Sequence, residues 1–488
     1  MKYKEKLIKI AKPLVFFAIL ICMVNHTSRI MESKTSIDRM GAFYEESDKM
    51  DVLFFGTSHV RYTILPMELW NQHGMTSHNM GASFATQVES YWYLINALDY
   101  AKPDLVVLDA YKIADDDKSA PLSFVHAQLD AMPMSINKLK AIFDLKDKMD
   151  ARLELIWDLY IYHDRWTELG AGDFMSRKEL ANKVNRGSTP RDDKIGEPAS
   201  YPKIDRSDKL EDIDTLGMEY LRKFIEECQS NGIDILLVFI PFPADENKQR
   251  EANTIYDIAK EYGVQYVNLL DTDVINYETD CVDYNSHLNL SGALKVTDYI
   301  GNYIMENYNI TDHRGDAAYS SWNDNFEEYM ANKIDAIKET AELDAYLMKL
   351  ADKNLSSCIY IDEDAVFFQR EKMVEMLRNV SQNVQLEKLE EAVDSGSIYF
   401  LIIDNSENTA YEIVGSGEID IPNTTFGHVE YGIDDDGNPY LYIQDGEKNY
   451  LEKKNDVMTV CINKYTGEIK DSAQFVTYGR KYYGMKIE

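Results

Sequence analysis

Cysteine is scarce in this chain and dispersed. Cys22, Cys228, Cys281, Cys358 and Cys461 form no C-x-x-C pair and no Cys/His cluster at zinc spacing. A disulfide framework and a structural metal are therefore not expected, and so low a count leaves the compartment open. Positive charge is also short. Lys and Arg number 51 against 84 Asp and Glu, a net charge of −33. That excess repels a phosphate backbone and no basic run offsets it, which excludes nucleic acid as a partner. A hydrophobic content of 45% is too low for a multi-span membrane protein and, with 33 tyrosines, too high for a disordered chain. What remains is a folded protein of 488 residues, enough for about two to four domains.

The one sustained apolar stretch comes first. Lys2, Lys4, Lys6, Lys9 and Lys12 precede the uncharged run from Pro13 to Val24, a charged region before an apolar one. The run is short of the roughly 20 residues that span a bilayer, but Ile8, Ile10 and Ala11 extend it if Lys9 and Lys12 snorkel. No A-x-A site follows, and Ile21 before Cys22 is too bulky for a lipoprotein-type cleavage site. Residues 1–24 thus read as an uncleaved signal anchor, single-pass in the cell membrane, with the bulk of the chain outside the cytoplasm. A cleaved signal peptide gives the same compartment. Residues 25–47 are polar and read as a short stalk.

From residue 48 to about 310 the pattern is that of an α/β domain. Apolar runs at Val52–Phe55, Asp104–Asp109, Ile233–Ile240 and Val264–Leu270 alternate with helical patterns at Glu89–Tyr100, Leu216–Asn231, Asn247–Tyr262 and Ser291–Tyr308. Continuous apolar strands between helices predict a parallel sheet covered on both faces. Residues 114–209 break the pattern with charged helical stretches and the Gly-, Pro- and Ser-containing segment Arg186–Pro202, which predicts an insertion covering one end of the sheet. Residues 311–355 read as a helical linker. Residues 356–488 read as a β-rich α+β accessory domain with strands at Cys358–Ile361, Ser397–Asp404, Thr409–Val414, His428–Ile433, Tyr440–Gln444, Val457–Asn463 and Ala473–Tyr478, and with a hairpin turn at Asp434–Asn438.

The first strand ends in Gly56-Thr57-Ser58-His59. At the carboxyl end of a parallel strand a serine faces the ligand crevice, although such a residue is more often a helix N-cap. A partner for it stands in the loop Asp280-Cys-Val-Asp283-Tyr-Asn-Ser-His287, before the last helix of the domain. An acid a few residues before a histidine can orient the imidazole to take a proton from a serine hydroxyl. His59 either contacts substrate or simply packs. His73, His78, His126, His163, His313 and His428 show no metal-ligand spacing.

These segments resemble the SGNH (GDSL-like) hydrolase superfamily, and most of all its membrane-anchored bacterial branches related to the D-alanyl transfer protein and the alginate O-acetylation proteins. FFGTSHV is similar to the nucleophile block, NMGASFAT at 79–86 to the second block and DYNSHLNLSGA at 283–293 to the last. The resemblance implies a three-layer flavodoxin-like parallel sheet, with Ser58 as nucleophile, His287 as base, and Gly81 lending its backbone N–H to an oxyanion hole. The last block departs from the usual D-x-x-H, so Asp283 stands as the acid with Asp280 as fallback. The third-block Gly-x-Asn-Asp is missing, which leaves its Asn donor unassigned, and Asn79 is the candidate to fill in. The function implied is an extracytoplasmic esterase or O-acyltransferase acting on acyl esters of a cell-envelope polysaccharide or on a small acyl ester. No cofactor is expected, and a multi-span membrane acyltransferase is the partner implied. The alternative is a non-catalytic glycan-binding or assembly partner of such an acyltransferase.

Overall fold

The structure is a computed structural model that describes residues 2–192, 196–211, 213–382, 384–444, 446, 448–451, 456–477 and 484–487. Five parallel strands form the central sheet: β1 (Val52–Phe55), β2 (Ser77–Asn79), β3 (Leu105–Asp109), β4 (Asp234–Phe239) and β5 (Gln265–Asn268), in the order β2-β1-β3-β4-β5. In this doubly wound order the chain reverses direction between β1 and β3, and the loops leaving the carboxyl ends part there to make a crevice. β1, β3 and β4 are apolar at their centres because both faces are covered. Leu53, Phe55, Val106, Leu108 and Leu237 pack with Tyr93, Leu221 and Phe224 on one side. Val52, Phe54, Leu105, Val107 and Leu236 pack with Val60, Leu69, Val296 and Ile300 on the other. Successive residues alternate between the two cores, as the pleat demands.

The four apolar runs are strands, and the sheet gains a fifth that the apolar pattern did not mark. β2 is Ser77-His78-Asn79, polar yet wholly buried. Its backbone pairs with β1 on one side, and Asn79 N–H donates to the Arg186 carbonyl on the other (3.0 Å).

The stalk expected at residues 25–47 is not one. The first helix runs from Lys2 to Met31, and Ala11–Met31 is long and apolar enough to cross a membrane. A second helix, Lys34–Glu46, follows after two residues and buries Ile37, Met40 and Phe43 in the domain core. Each such side chain is worth roughly 1.5–3 kcal/mol when removed from water. The charged residues between them hid this i, i+3 stripe. One charge is itself buried: Arg39 donates to the Gly81 carbonyl at 2.9 Å.

The insertion folds as short helices on the flank of the sheet, then returns as a strap along its carboxyl edge. Strap residues hold the edge directly: Thr189 N–H donates to Arg61 O, Gly196 N–H to Cys281 O and Ala199 N–H to Tyr284 O. Residues 193–195 of the expected loop lie outside the described residues.

The carboxyl-terminal region is antiparallel. β6 (Leu355–Ile361), β7 (Tyr399–Asp404), β8 (Thr409–Val414), β12 (Val457–Asn463), β13 (Ile469–Val476) and β14 (Met485–Ile487) form one sheet, ordered β14-β13-β12-β6-β7-β8. β9 (Ile419–Thr424), β10 (Gly427–Ile433) and β11 (Pro439–Ile443) form a second. The two sheets enclose Tyr360, Phe400, Ile402, Val429, Tyr431 and Leu441. β9, with Pro422 inside it, was not marked in advance. The expected strand at Ala473–Tyr478 is the second half of β13, and Tyr478 lies outside the described residues. Asp434–Asn438 is the β10–β11 turn, closed by Asp434 N–H on Asn438 O.

The stretch 311–355, expected as a helical linker, is helical and also packs into the core. It holds helices Ser320–Glu339 and Leu343–Leu350, and Trp322 packs on Trp70 with ring centroids 5.3 Å apart. Lys333 bonds the buried carboxylates of Glu68 (2.8 Å) and Asp352, while Asn354 donates to the other Glu68 oxygen (2.9 Å). A buried charge left without its partner costs several kcal/mol, so this cluster fixes how the antiparallel region sits on the α/β layer.

Candidate active site

The turn after β1 presents Ser58 in a way only glycine at position 56 allows. Gly56 has φ +147°, and a Cβ there would lie 2.7 Å from Val60 Cγ2 and 2.8 Å from Asp109 Cβ. The N-cap of helix Ser58–Thr63 is Thr57, whose Oγ1 accepts the His59 N–H at 3.2 Å. Capping therefore does not occupy the Ser58 hydroxyl, which points at His287 instead, with Oγ 2.9 Å from Nε2.

His287 stands on a loop pinched shut by a Cys281–Leu288 bridge and by Val282 N–H on the His287 carbonyl. Asp283 folds back inside that loop. Its Oδ2 lies 2.6 Å from His287 Nδ1, and its Oδ1 accepts the N–H groups of Ser286 (2.8 Å) and His287 (2.9 Å). The extra residue between acid and histidine is thus taken up as a turn that the acid itself closes. Partial burial pushes the Asp283 carboxyl up, but the His287 hydrogen bond and the two backbone N–H groups outweigh it and hold the group well below the usual carboxylate range. An ionised Asp283 keeps the proton on Nδ1 and leaves Nε2 to accept from the serine hydroxyl.

Asp280, the fallback acid, is elsewhere. It is fully buried at the loop's base, accepting from Asn276 N–H (2.8 Å), Ser291 Oγ (2.8 Å), Lys295 Nζ (2.7 Å) and Asn379 Nδ2 (3.0 Å).

The two expected oxyanion donors are corrected by their bonds. The Gly81 N–H donates to Asn79 Oδ1 at 2.9 Å. Both N–H bonds of the Asn79 amide go to the carbonyls of Val60 and Ile64, each 2.8 Å away, where they close the carboxyl end of the Ser58–Thr63 helix. Backbone crowding explains the glycine: a Cβ at Gly81 would lie 2.6 Å from Arg61 N. These residues brace the helix and present no open donor. The Ser58 N–H, in the first turn of its helix, has no intrahelical acceptor.

His59 is corrected likewise. Its ring is 4% exposed, with the rings of Tyr111 and Phe242 centred 4.5 and 4.6 Å from it, so it packs rather than meeting substrate. Its Nδ1 is 3.7 Å from Asp109 Oδ2, too far for a hydrogen bond. Burial takes His59 down to about 3 and Asp109 up to about 8, so near neutral pH the two are an uncharged contact, not an ion pair.

Three contributors escaped the sequence. Tyr62, four residues after Ser58 and so on the same helical face, sets its ring edge-on to His287 at 5.0 Å; that spacing was a usable signal. Arg61 Nε holds the strap through Thr189 Oγ1 (2.7 Å). Asn379, on helix Glu371–Ser381 of the antiparallel region, donates to Thr279 Oγ1 and Asp280 Oδ1 and accepts from Lys295 Nζ. It clamps the base of the His287 loop from about a hundred residues away, and no local pattern could announce it. The strap and the β4 and β5 loops border a pocket of about 580 Å³, lined by Tyr201, Phe242, Tyr277, Glu278 and, from that same helix, Lys372; Phe242 also packs on His59, next to Ser58. Among the described residues no group of three or more His, Cys, Asp or Glu side chains is placed to hold a metal ion.

Compared with models of known protein families the chain matches none, and no curated protein matches it.

Proposed function

We propose that the chain is an extracytoplasmic serine esterase or O-acyltransferase of the SGNH type, held at the membrane by its first helix and acting on acyl esters of a cell-envelope polysaccharide or on a small acyl ester. The observation that carries this reading is the continuous Asp283–His287–Ser58 relay at the carboxyl edge of a doubly wound sheet, with steps of 2.6 and 2.9 Å. In the reaction His287 Nε2 takes the hydroxyl proton as Ser58 Oγ adds to the acyl carbonyl. The imidazolium then returns that proton to the departing alcohol oxygen, leaving an acyl-serine. Water or a second hydroxyl, deprotonated by the same nitrogen, releases the acyl group as acid or new ester, and the imidazolium returns the proton to the departing Ser58 Oγ. Asp283 stays ionised and stabilises the imidazolium. The Ser58 N–H meets the oxyanion, and substrate or a partner supplies the remaining stabilisation.

The engaged state of Gly81 and Asn79 favours a second reading: a chain that binds a glycan, or assembles with a multi-span membrane acyltransferase, without turnover of its own. Acetyl-ester cleavage by the full-length protein decides between them. The first reading predicts turnover that Ser58→Ala abolishes while the circular-dichroism spectrum is unchanged. Equal turnover by a folded Ser58→Ala protein, or none by either, overturns it.

A further inference from the structure

The insertion carries a set of large apolar side chains that fold into no core. Trp157 is 49% exposed, Trp166 68%, Phe174 66%, Tyr160 43% and Met175 45%. Isolated exposed apolar residues are ordinary, but five of them between Trp157 and Met175, two Trp and one Phe included, mark an interaction surface.

Its position says what covers it. Helix Asp158–Tyr162 and the turn Ala171–Phe174 pack against the helix Lys2–Met31. The contact lies at that helix's carboxyl end, where Val24, Ser28 and Ile30 are half-buried and Met31 is buried, whereas Leu14–Ile21 are bare. Arg165, between Tyr160 and Phe174 in the chain, locks the junction: its Nη1 donates to the carbonyls of Met31 and Glu32, both at 2.7 Å, and its Nη2 pairs with Asp173 Oδ1 at 2.9 Å. Because Lys34–Glu46 is built into the core, the domain has no tether with which to stand off from the helix. With a rise of about 1.5 Å per residue, the 21 residues Ala11–Met31 extend about 31 Å. That matches a hydrocarbon core of about 30 Å and sets Met31 at its edge, where the headgroup layer begins. Trp and Tyr concentrate in that layer, where a ring meets apolar and wet surroundings at once.

We propose that this aromatic face of the insertion, led by Trp157, Trp166 and Phe174, lies in the lipid headgroup layer beside the membrane helix and seats the α/β domain directly on the bilayer. The proposal rests on the reading of Ala11–Met31 as a membrane span. It gives the insertion two roles, since the strap that holds the crevice edge continues from the face that meets lipid, and it confines the site to substrate close to the membrane surface.

The test uses the full chain reconstituted in phosphatidylcholine vesicles, with and without bromine on the acyl chains near the headgroup. Of the five tryptophans, Trp70 and Trp322 are buried, and Trp92 is half-buried and bonded to Asp144. Brominated lipid should lower total tryptophan emission by roughly a third, and the double variant Trp157→Phe, Trp166→Phe, which keeps the apolar character and the fold, should show no such quenching. Equal emission in both lipids, with the chain still in the vesicle fraction after an alkaline wash, would overturn the proposal, leave the span intact and turn the face toward a protein partner. A chain washed off the vesicles would overturn the span reading and the proposal with it.

Discussion

Two turns on the carboxyl edge of the parallel sheet each carry a glycine and end in opposite states. After β1, Thr57 takes over the capping of the helix, so the Ser58 hydroxyl is left for His287. After β2, the Gly81 N–H and the Asn79 amide satisfy one another and the carbonyls of Val60 and Ile64, and Arg39 closes the set by donating to the Gly81 carbonyl. One turn leaves its serine hydroxyl free of capping; the other uses the Asn79 amide to hold the helix that carries that serine. Each turn offers a glycine and polar side chains to the same edge, so what separates the two is which atoms already have partners.

The largest effect expected is on the side of the open turn. Asp283→Asn leaves His287 in place but reverses the preference for Nδ1–H, and ester turnover should fall by about 10⁴-fold with little change in thermal midpoint. Asp280→Asn disturbs a structural acid with four donors and should instead lower stability by about 1–3 kcal/mol. Turnover lost in Asp280→Asn and kept in Asp283→Asn would reverse the assignment. Next is the clamp from the antiparallel region: Asn379→Ala should lower kcat by about ten- to a hundredfold at unchanged KM, because the His287 loop loses an anchor and small misplacements are costly. An unaltered kcat in the folded variant would make that region a passenger.

The braced turn sharpens the comparison from the other side. Asn79→Ala strands the Ile64 carbonyl and the Gly81 N–H and leaves the Val60 carbonyl only the Ile64 N–H; it should cost about 2–4 kcal/mol in denaturant unfolding, with kcat reduced by no more than about tenfold. An oxyanion donor would show the converse, a loss of about 10²–10³ in kcat at constant stability.

The parallel strands were legible because burial on both faces makes apolar runs, and the glycine-serine turn and the distant Asp-x-x-x-His could be read as partners because their chemistry is complementary. β2 was not, since three polar residues carry no apolar signal and their burial depends on Arg186, more than a hundred residues on. The helix Lys34–Glu46 was hidden by charges that its fold pairs or buries, Arg39 among them. The oxyanion expectation failed for a related reason: Asn79 reaches carbonyls fifteen and nineteen positions away, and only the folded turn reveals that its donors are already in use.

The smallest effect concerns the pair behind Ser58. Asp109, raised to about 8, adds stability that is lost as pH climbs from its unfolded value of about 4; His59, lowered to about 3, adds stability that is lost as pH drops below its unfolded value of about 6.5. The two oppose each other between about pH 4 and 6.5, and above that Asp109 acts alone. Asp109→Asn should therefore flatten the decline in the urea midpoint between about pH 6.5 and 8. An identical decline in both proteins would mean that Asp109 is already ionised in the fold.

The central claim, that Ser58 is an uncommitted hydroxyl served by His287, is tested most directly by a fluorophosphonate probe and peptide mass spectrometry of the full-length protein. The account predicts one stoichiometric adduct on Ser58, absent from the folded Ser58→Ala protein and strongly slowed in His287→Ala. An unlabelled Ser58 in the folded wild type, or labelling that survives unchanged in His287→Ala, would contradict it.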